Sequence, residues 1–428
     1  MPGLRSLLIV CVSLAAACGG DPVRHTPDAP PGSPDAYVDA VASHLVSIAV
    51  TLGGVGAPGI TVHFQNADST VVSSTVTDAQ GTASAMMADG GYVTASEPIA
   101  PNELYTWAGV KGGDHLQLDR PERPPSMFTL TFNADSNDVS VSYYIFHSNC
   151  SRAIRVIPSG STISLSSCGP TIDVLVEAVD GAGNTLSAFF HPDVPVTDGA
   201  TVALTDTLTL VTNTTLNFTN VADVMGGSLY VRGQLASPKG VVHAFPPKSL
   251  TQTAGAATAT VPLPTFTGAL QIIETDTMVT QNGDQHVIDW KPQAATYNLD
   301  VEAALLQSYD SFPQFDPTTH SFTWTLTGTT TQGDFVIGSA NILRELAGRS
   351  WYWTIAAPAT GTTLALPVIP AGTFDFNPAA TDIGSLNQLI TAKIPGGYDA
   401  ARARVLSVDS PADFTAGTSG TIVYERVN

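Results

Sequence analysis

Residues 56–95 read GAPGITVHFQNADSTVVSSTVTDAQGTASAMMADGGYVTA. Its runs ITVHFQ, TVVSSTVT, GTASAMM and GYVTAS have a period of two and are separated by short groups of turn residues. A period of two is typical of strands with one buried face, and Gly, Asp and Asn favour the turns between them. The stretch therefore predicts an antiparallel β-sandwich.

The same stretch resembles the carboxypeptidase-regulatory-like, transthyretin-like β-domain. In that family a Thr-Asp-x-x-Gly turn leads from one strand into the next, and Thr77, Asp78 and Gly81 match it. The resemblance implies a sandwich over residues 43–119 that has a structural or presenting role and carries no catalytic residues.

An internal repeat extends this pattern along the chain. The segments VKGGDHLQL (110–118) and VTDGATVAL (196–204) align at an offset of 86 residues (196 − 110). The matched pairs at this offset are Val110/Val196, Gly113/Gly199, Leu116/Val202, Leu118/Leu204, Leu130/Leu216, Phe132/Phe218 and Tyr144/Tyr230. Fainter echoes link residues 200–206 with 295–301 and residues 128–132 with 322–326. One β-module repeated in tandem is the interpretation.

The predicted fold class is all-β, with several immunoglobulin-like or transthyretin-like antiparallel sandwiches in tandem and few short helices. The predicted ranges are 43–119, 120–207, 208–309 and 310–428, in keeping with the three or four domains expected of 428 residues. Residues 339–350 (SANILRELAGRS) and 300–309 (DVEAALLQSY) are the candidate helices, with Ser339 as a cap of the first.

The N-terminus predicts export. Arg5 and the apolar run from Leu7 to Val12 form a signal too short to span a bilayer. The segment from Leu14 to Cys18 resembles the lipobox of bacterial lipoproteins, although that family places its Leu three positions before the cysteine and not four. The resemblance implies a signal peptide over 1–18 and lipidation of Cys18. The alternative is an ordinary signal peptide, cut after Ala-x-Ala, that leaves a free secreted protein.

Gly19 follows the cysteine, whereas an Asp there would mark a lipoprotein for retention in the inner membrane. By the same resemblance, Gly19 implies sorting to the outer membrane. Residues 19–42 contain five prolines and no apolar period, which predicts an extended, disordered tether. We expect a cell-envelope location in which the lipid is the contact with the membrane and the folded part is periplasmic or surface-exposed.

The remaining cysteines predict a disulfide. Cys11 leaves with the signal and Cys18 takes the lipid, so Cys150 and Cys168 remain. Exported chains usually bridge such a pair. A metal site there would need more ligands, and only His147 is near in sequence.

Composition and motifs exclude several functions. A net charge of −20 argues against nucleic acid and against direct adsorption to anionic lipid. The sequence has no Gly-x-Ser-x-Gly, His-Glu-x-x-His, Cys-x-x-Cys or phosphate-binding loop. Residues 133–138 (NADSND) could bind calcium, but a polar turn is the simpler interpretation. We therefore expect no catalytic residues, no resident metal and no cofactor.

Trp351 and Trp353, in GRSWYWTIAAP (348–358), are the weak candidates for a ligand site. On a strand they share one face, and two exposed indoles would suit stacking against sugar rings. The alternative is that they fill the core of the last sandwich, which the apolar IAAP after them favours.

Three functions follow. The leading hypothesis is a non-enzymatic, lipid-anchored protein with a structural, scaffold or adhesive role. The second is a carbohydrate- or polymer-binding lipoprotein that uses aromatic residues of the last module. The third and least favoured is a hydrolase outside familiar motifs. The partner is therefore a glycan or an envelope protein, and its identity is open.

Overall fold

The described residues fold as β-sandwich modules in tandem, of which we distinguish four, and the all-β prediction with few short helices is confirmed. The structure is a computed structural model, in which the described residues are 43–52, 55–96, 102–120, 127–132, 140–156, 162–166, 170–197, 199–221, 228–237, 239–280, 282–328, 331–372, 375–403 and 419–427. These residues contain 30 strands, helices of four and six residues, and one 3₁₀ turn.

Two facing sheets form the first module. Its strands are β1 (His44–Leu52), β2 (Val55–Gly56), β3 (Thr61–Gln65), β4 (Val71–Val76), β5 (Thr82–Met87), β6 (Gly91–Ser96), β7 (Glu103–Val110) and β8 (His115–Arg120). In one sheet β1 pairs antiparallel with β5 and parallel with β8, while β2 pairs with the end of β1. The other sheet has the order β4-β3-β6-β7.

The predicted Thr-Asp-x-x-Gly turn connects β4 to β5. The Thr77 hydroxyl donates to the Ala57 carbonyl at 2.6 Å, and the Asp78 carboxylate accepts from the amides of Gln80 and Thr82. Gly81 has φ = 75°, and a Cβ there would lie 2.3 Å from the Val50 carbonyl oxygen. Only glycine fits this position, because of its positive φ and its close approach to β1.

The second and third modules repeat the pattern. The second contains β9 (Met127–Phe132), β10 (Tyr143–Ser148), β11 (Ser151–Val156), β12 (Thr162–Ser166), β13 (Thr171–Val179), β14 (Thr185–Pro195), β15 (Thr201–Leu204) and β16 (Thr209–Leu210). The third contains β17 (Thr212–Thr219), β18 (Ser228–Ser237), β19 (Gly240–Thr251), β20 (Ala257–Leu263), β21 (Leu270–Thr280), β22 (Gly283–Pro292), β23 (Thr296–Asp300) and helix α1 (Val301–Ala304). In each, the first strand pairs parallel with a strand near the end of the module, β9 with β15 and β17 with β23.

The offset of 86 residues holds for the first strands and slips at the second. Leu130 and Leu216 are fully buried at equivalent positions, opposite Val202 and Tyr297 of the parallel partner strand. Tyr144 is fully buried, whereas Tyr230 is 43% exposed. A slip of one residue moves a side chain to the other face of a strand, so these two tyrosines are not equivalent.

The fourth module varies the pattern. Its elements are β24 (Ser308–Asp316), β25 (Ser321–Thr327), β26 (Phe335–Arg344), β27 (Arg349–Pro358), β28 (Thr363–Ala365), β29 (Ile383–Lys393), helix α2 (Gly397–Arg402) and β30 (Gly420–Val427). The order β27-β26-β29-β30 matches the second sheet of the other modules. In the other modules the first strand has a parallel neighbour from the end of the module. In the fourth module β25 has β24 at that position instead, and β24 precedes β25 and runs antiparallel to it.

Three modules share one sheet of 12 strands, in the order β19-β18-β21-β22-β30-β29-β26-β27-β7-β6-β3-β4. The third and fourth modules join where β22 pairs antiparallel with β30. The fourth and first join where β27 pairs parallel with β7. We call these joins the β22/β30 seam and the β27/β7 seam.

Gly420 allows β30 to pack closely against the Trp290 side chain at the β22/β30 seam. It lies opposite Trp290, and a Cβ on it would come within 2.3 Å of the indole ring. Glycine is therefore required where β30 enters the shared sheet.

A buried polar row also spans this seam. The Gln285 side chain donates to the Leu306 carbonyl and the Ser308 hydroxyl, at 3.0 and 2.7 Å. The Glu425 carboxyl accepts from the Tyr309 amide at 3.1 Å. The row fixes the connection between modules, because a buried polar group is costly unless it is hydrogen-bonded.

The second and third modules contact each other through an aromatic pair and an ion pair. Phe190 stacks on Phe266 with ring centroids 4.0 Å apart. The Lys239 ammonium lies 2.6 Å from the Asp193 carboxylate and 3.4 Å from the buried Asp173. The contact therefore combines an aromatic stack with a partly buried ion pair.

Each sandwich encloses its own cluster of buried apolar side chains. The ranges 43–119, 120–207, 208–309 and 310–428 remain our proposed module boundaries, although the core of the fourth module also contains Leu104, Ala108 and Tyr309 and that of the third contains Val423. A fifth cluster lies on the outward face of the shared sheet and includes Tyr398 of α2.

The helix predicted over 339–350 is wrong. Residues up to Arg344 belong to β26, and β27 begins at Arg349 after a 3₁₀ turn. Strand β26 is paired on both sides, with β27 and β29, so sheet pairing overrides the local helical spacing. For residues 300–309 the first half is confirmed as α1, which Asp300 caps through the Ala303 amide.

Among the described residues, no helix has both the length and the apolar character that crossing a membrane requires.

Candidate functional site

Trp351 and Trp353 lie in the core, and the predicted sugar-stacking platform is wrong. Both are fully buried on β27, while Tyr352 between them is 42% exposed. The shared face predicted for the two indoles is confirmed, but it points between the two sheets of the fourth module. No face of either indole is therefore open to a ligand.

Trp353 has a structural role at the β27/β7 seam. Its indole N–H donates to the Thr106 hydroxyl at 2.8 Å, and that hydroxyl lies 2.9 Å from the hydroxyl of Thr94. Nearby, the Tyr398 hydroxyl lies 2.7 Å from the Ala108 carbonyl and 2.9 Å from that of Ala356. Residues of the first and fourth modules thus satisfy one another's buried polar groups.

The cysteine predictions fall mostly outside the described residues. Cys150 is disulfide-bonded. Its predicted partner Cys168 lies outside the described residues, as do Cys18 and the calcium candidate 133–138. The Cys150–Cys168 pairing and the lipidation of Cys18 stay predictions.

The described residues contain a polar cluster that sequence reasoning missed. Glu274 and Asp276 lie on β21 and His286 lies on β22, where it is directly opposite Asp276. Their side chains point away from the sandwich core, whose lining on these strands is Ile273 and Val287. We call Glu274, Asp276 and His286 the His286 cluster.

Short contacts hold the cluster together. The His286 Nδ1 lies 2.6 Å from Asp276 Oδ1 and 3.5 Å from Glu274 Oε1. The Arg232 guanidinium, on β18, lies 3.1 Å from Asp276 Oδ2 and 3.8 Å from Glu274 Oε2. The two carboxylates therefore face a cation on each side.

Electrostatics favours the charged imidazole. Burial by itself lowers the pKa of His286, but hydrogen bonds to Asp276 and Glu274 outweigh it and raise that pKa to about 9. The cause is the pair of anionic acceptors at one ring nitrogen.

Two side chains of the fourth module also lie beside the His286 cluster. The Tyr424 ring, on β30, stacks on the imidazole with centroids 4.6 Å apart and planes 14° apart. The Arg426 guanidinium lies 5.2 Å from the centre of the Tyr424 ring. The cluster consequently borders the β22/β30 seam.

A cavity of about 310 Å³ opens beside the cluster. It is lined by Arg232, Gln234, Ile272, Glu274, His286, Ile288, Tyr424 and Arg426. This lining contains no Ser, Thr or Cys nucleophile. Its chemistry is that of an imidazole and two carboxylates flanked by arginines, which suits ion pairing or metal binding.

Sequence reasoning missed this cluster because its members are scattered along the chain. The described residues place Arg232, Asp276 and His286 on three neighbouring strands, in a register that the residue types alone do not reveal. The available signal was a hairpin pattern over 270–292, in which ETD and DQH would face each other.

No protein-family model matches the chain. No curated protein matches it in sequence.

Solved structures give distant likenesses. The Bacillus anthracis TIE protein is 11% identical over 60% of this chain and 50% of its own, with a TM-score of 0.16. The chain thus spans half the length of that protein. A streptococcal ancillary pilin is 9% identical over 60% of this chain and 98% of its own, with a TM-score of 0.18. A putative adhesin from Bacteroides ovatus is 12% identical over 35% of this chain and 72% of its own, with a TM-score of 0.14. TM-scores this low support no conclusion about what this protein does.

Proposed function

We propose that this protein is a non-enzymatic scaffold of the bacterial cell envelope, anchored by a lipid on Cys18 and sorted to the outer membrane. The observation that carries the scaffold role is the 12-stranded sheet shared by three modules. Backbone pairing at two seams makes a stiff body, because such joins resist the hinge motion usual between domains.

The buried polar contacts support the same role. Hydrogen bonds cross the β27/β7 seam at Trp353, and the Gln285 side chain on β22 bonds the Ser308 hydroxyl on β24 of the fourth module, so these contacts fix the orientation of the modules. A cavity of about 620 Å³ in the third module is lined by no ionisable side chain, so it offers no acid, base or charged ligand. These features favour a load-bearing or presenting part over a catalyst.

Residues 43–119 are the carboxypeptidase-regulatory-like, transthyretin-like module of this proposal. The turn built by Thr77, Asp78 and Gly81 supports this assignment. The tether 19–42 holds the scaffold away from the membrane surface. An adhesive contact, with a glycan or an envelope protein, is then made by the outer faces of the modules.

Anchoring is tested by fractionation. When the full chain is expressed in a Gram-negative host, the parent protein should sediment with outer membranes, and Cys18→Ala should become soluble in the periplasm or medium. Cys11→Ala is the matched control, because Cys11 lies in the segment that is removed, and it should stay with the membranes. Membrane association of Cys18→Ala equal to that of the parent would rule out the lipid anchor.

The scaffold role is tested in the same host by envelope integrity. Deletion of the protein in its native bacterium should raise sensitivity to detergent. The parent gene should restore resistance, whereas the Cys18→Ala gene should not. Equal resistance of the deletion strain and its parent would count against a structural role.

A further inference from the structure

We propose that Glu274, Asp276 and His286 form a binding site for a divalent transition-metal ion of the zinc type. The three side chains offer one imidazole nitrogen and two carboxylate oxygens, and these three atoms all lie within 4.8 Å of one another. The ion takes the place of the Nδ1 proton, which is released to solvent, because only the neutral imidazole nitrogen binds a metal. Imidazole with carboxylates selects zinc and its neighbours, whereas calcium and magnesium prefer oxygen ligands alone.

The distances fit a tetrahedral ion after a small movement. Metal–ligand bonds of about 2.0–2.2 Å place neighbouring ligand atoms roughly 3.3 Å apart in a tetrahedron. His286 Nδ1 and Glu274 Oε1 are already 3.5 Å apart. The Asp276 carboxylate, now 2.6 Å from Nδ1, has to move by less than about 1 Å to share the ion.

Neighbouring side chains orient the ligands. Arg232 contacts Asp276 Oδ2 and Glu274 Oε2, so the opposite oxygens, Oδ1 and Oε1, are the ones that face His286. Tyr424 stacks on the imidazole and restrains the plane of the ring. Such outer contacts strengthen a metal site, because the ligands lose less freedom on binding.

The cavity supplies the fourth coordination position. It adjoins His286 and Glu274 and is large enough for a water molecule or a small anion. Arg232 and Arg426, which also line it, favour an anionic fourth ligand. Three protein ligands with one open position form the pattern of an accessible zinc site, in contrast to a closed structural site.

The test is metal binding by the full-length protein, first stripped with a chelator. Isothermal titration with ZnCl₂ at neutral pH should give about one ion per chain, and equal concentrations of CaCl₂ should not compete. Titration with CoCl₂ should produce the visible absorption bands of a tetrahedral nitrogen–oxygen site. No saturable binding of Zn²⁺ or Co²⁺ by the parent protein would overturn the proposal without any variant.

Variants locate the site. His286→Gln and Asp276→Asn should each weaken Zn²⁺ binding at least tenfold, with circular dichroism showing that each is folded. His191→Gln is the matched control, because His191 pairs with a single carboxylate, Asp206, at 2.7 Å and should not affect binding. Affinity that is unchanged in folded His286→Gln, or lost equally in His191→Gln, contradicts the assignment.

Discussion

At the scale of single residues, Glu425 shows how burial sets charge. It is fully buried, and Gln285 and Thr391 lie opposite it on the flanking strands. Burial raises the pKa of its carboxyl group to about 8 and the nearby Asp284 adds to this, while hydrogen bonds from the Tyr309 amide and Gln285 oppose it. Glu425 is therefore mostly neutral at pH 7 in the folded protein.

This raised pKa predicts a pH dependence of stability. Between about pH 4.5 and pH 8 the unfolded chain releases the proton and the folded chain keeps it, so Glu425 makes folding less favourable as pH rises. The loss amounts to as much as ~1.4 kcal/mol per pH unit. Glu425→Gln has no proton to release, and urea unfolding between about pH 5 and pH 8 should show a flatter decline than in the parent.

The control for this prediction is Glu302→Gln, which changes an exposed carboxyl group on α1. Its free energy of unfolding should follow the parent at every pH. Parallel pH profiles for Glu425→Gln and the parent would show that Glu425 is ionised in the folded protein.

Sequence alone could predict little at this scale. The pairing of Trp351 with Trp353 on one face follows from the two-residue period, but exposure depends on the sheet formed by β24, β25 and β28, which packs against them. The His286 cluster depends on register between strands, which residue types do not encode locally.

At the scale of elements, β30 is the strand that joins two modules. It pairs with β29 of its own module and with β22 of the third. Gly420→Ala places a Cβ 2.3 Å from Cζ2 of Trp290 and should push the two strands apart there. We expect a loss of roughly 1–3 kcal/mol in the free energy of unfolding, measured by urea titration.

Gly361→Ala is the control for this substitution, because a Cβ at that loop position meets no atom within 4 Å. It should unfold like the parent. Equal stability of both glycine variants would mean that Trp290 does not pack against Gly420 as described.

The elements were predicted best where local sequence decides them. The turn at Thr77, Asp78 and Gly81 forms as expected, since the Asp78 carboxylate accepts hydrogen bonds from amides of the same turn. The helix over residues 339–350 was predicted wrongly. Ile342, Leu343 and Leu346 have a spacing that suits one face of a helix, yet β26 pairs with strands on both sides and belongs to the sheet.

At the scale of the whole molecule, the tandem repeat was predictable and the shared sheet was not. Repeated strand patterns mark the modules along the chain. Pairing of β7 with β27 joins residues 103–107 to residues 352–356. A contact between residues so distant in sequence cannot be predicted from either segment alone. Because of these seams, we expect the first, third and fourth modules to behave as one body.

Hydrogen exchange of the intact protein, followed by mass spectrometry of its peptides, distinguishes one body from separate modules. Peptides covering Leu104–Trp107 and Trp353–Ala356 should exchange as slowly as the strands inside each module, because their amides are paired across the seam. Peptides of β4, at the edge of the shared sheet, should exchange faster. Exchange of the β7 and β27 amides as fast as those of β4 would mean that the modules move independently of one another.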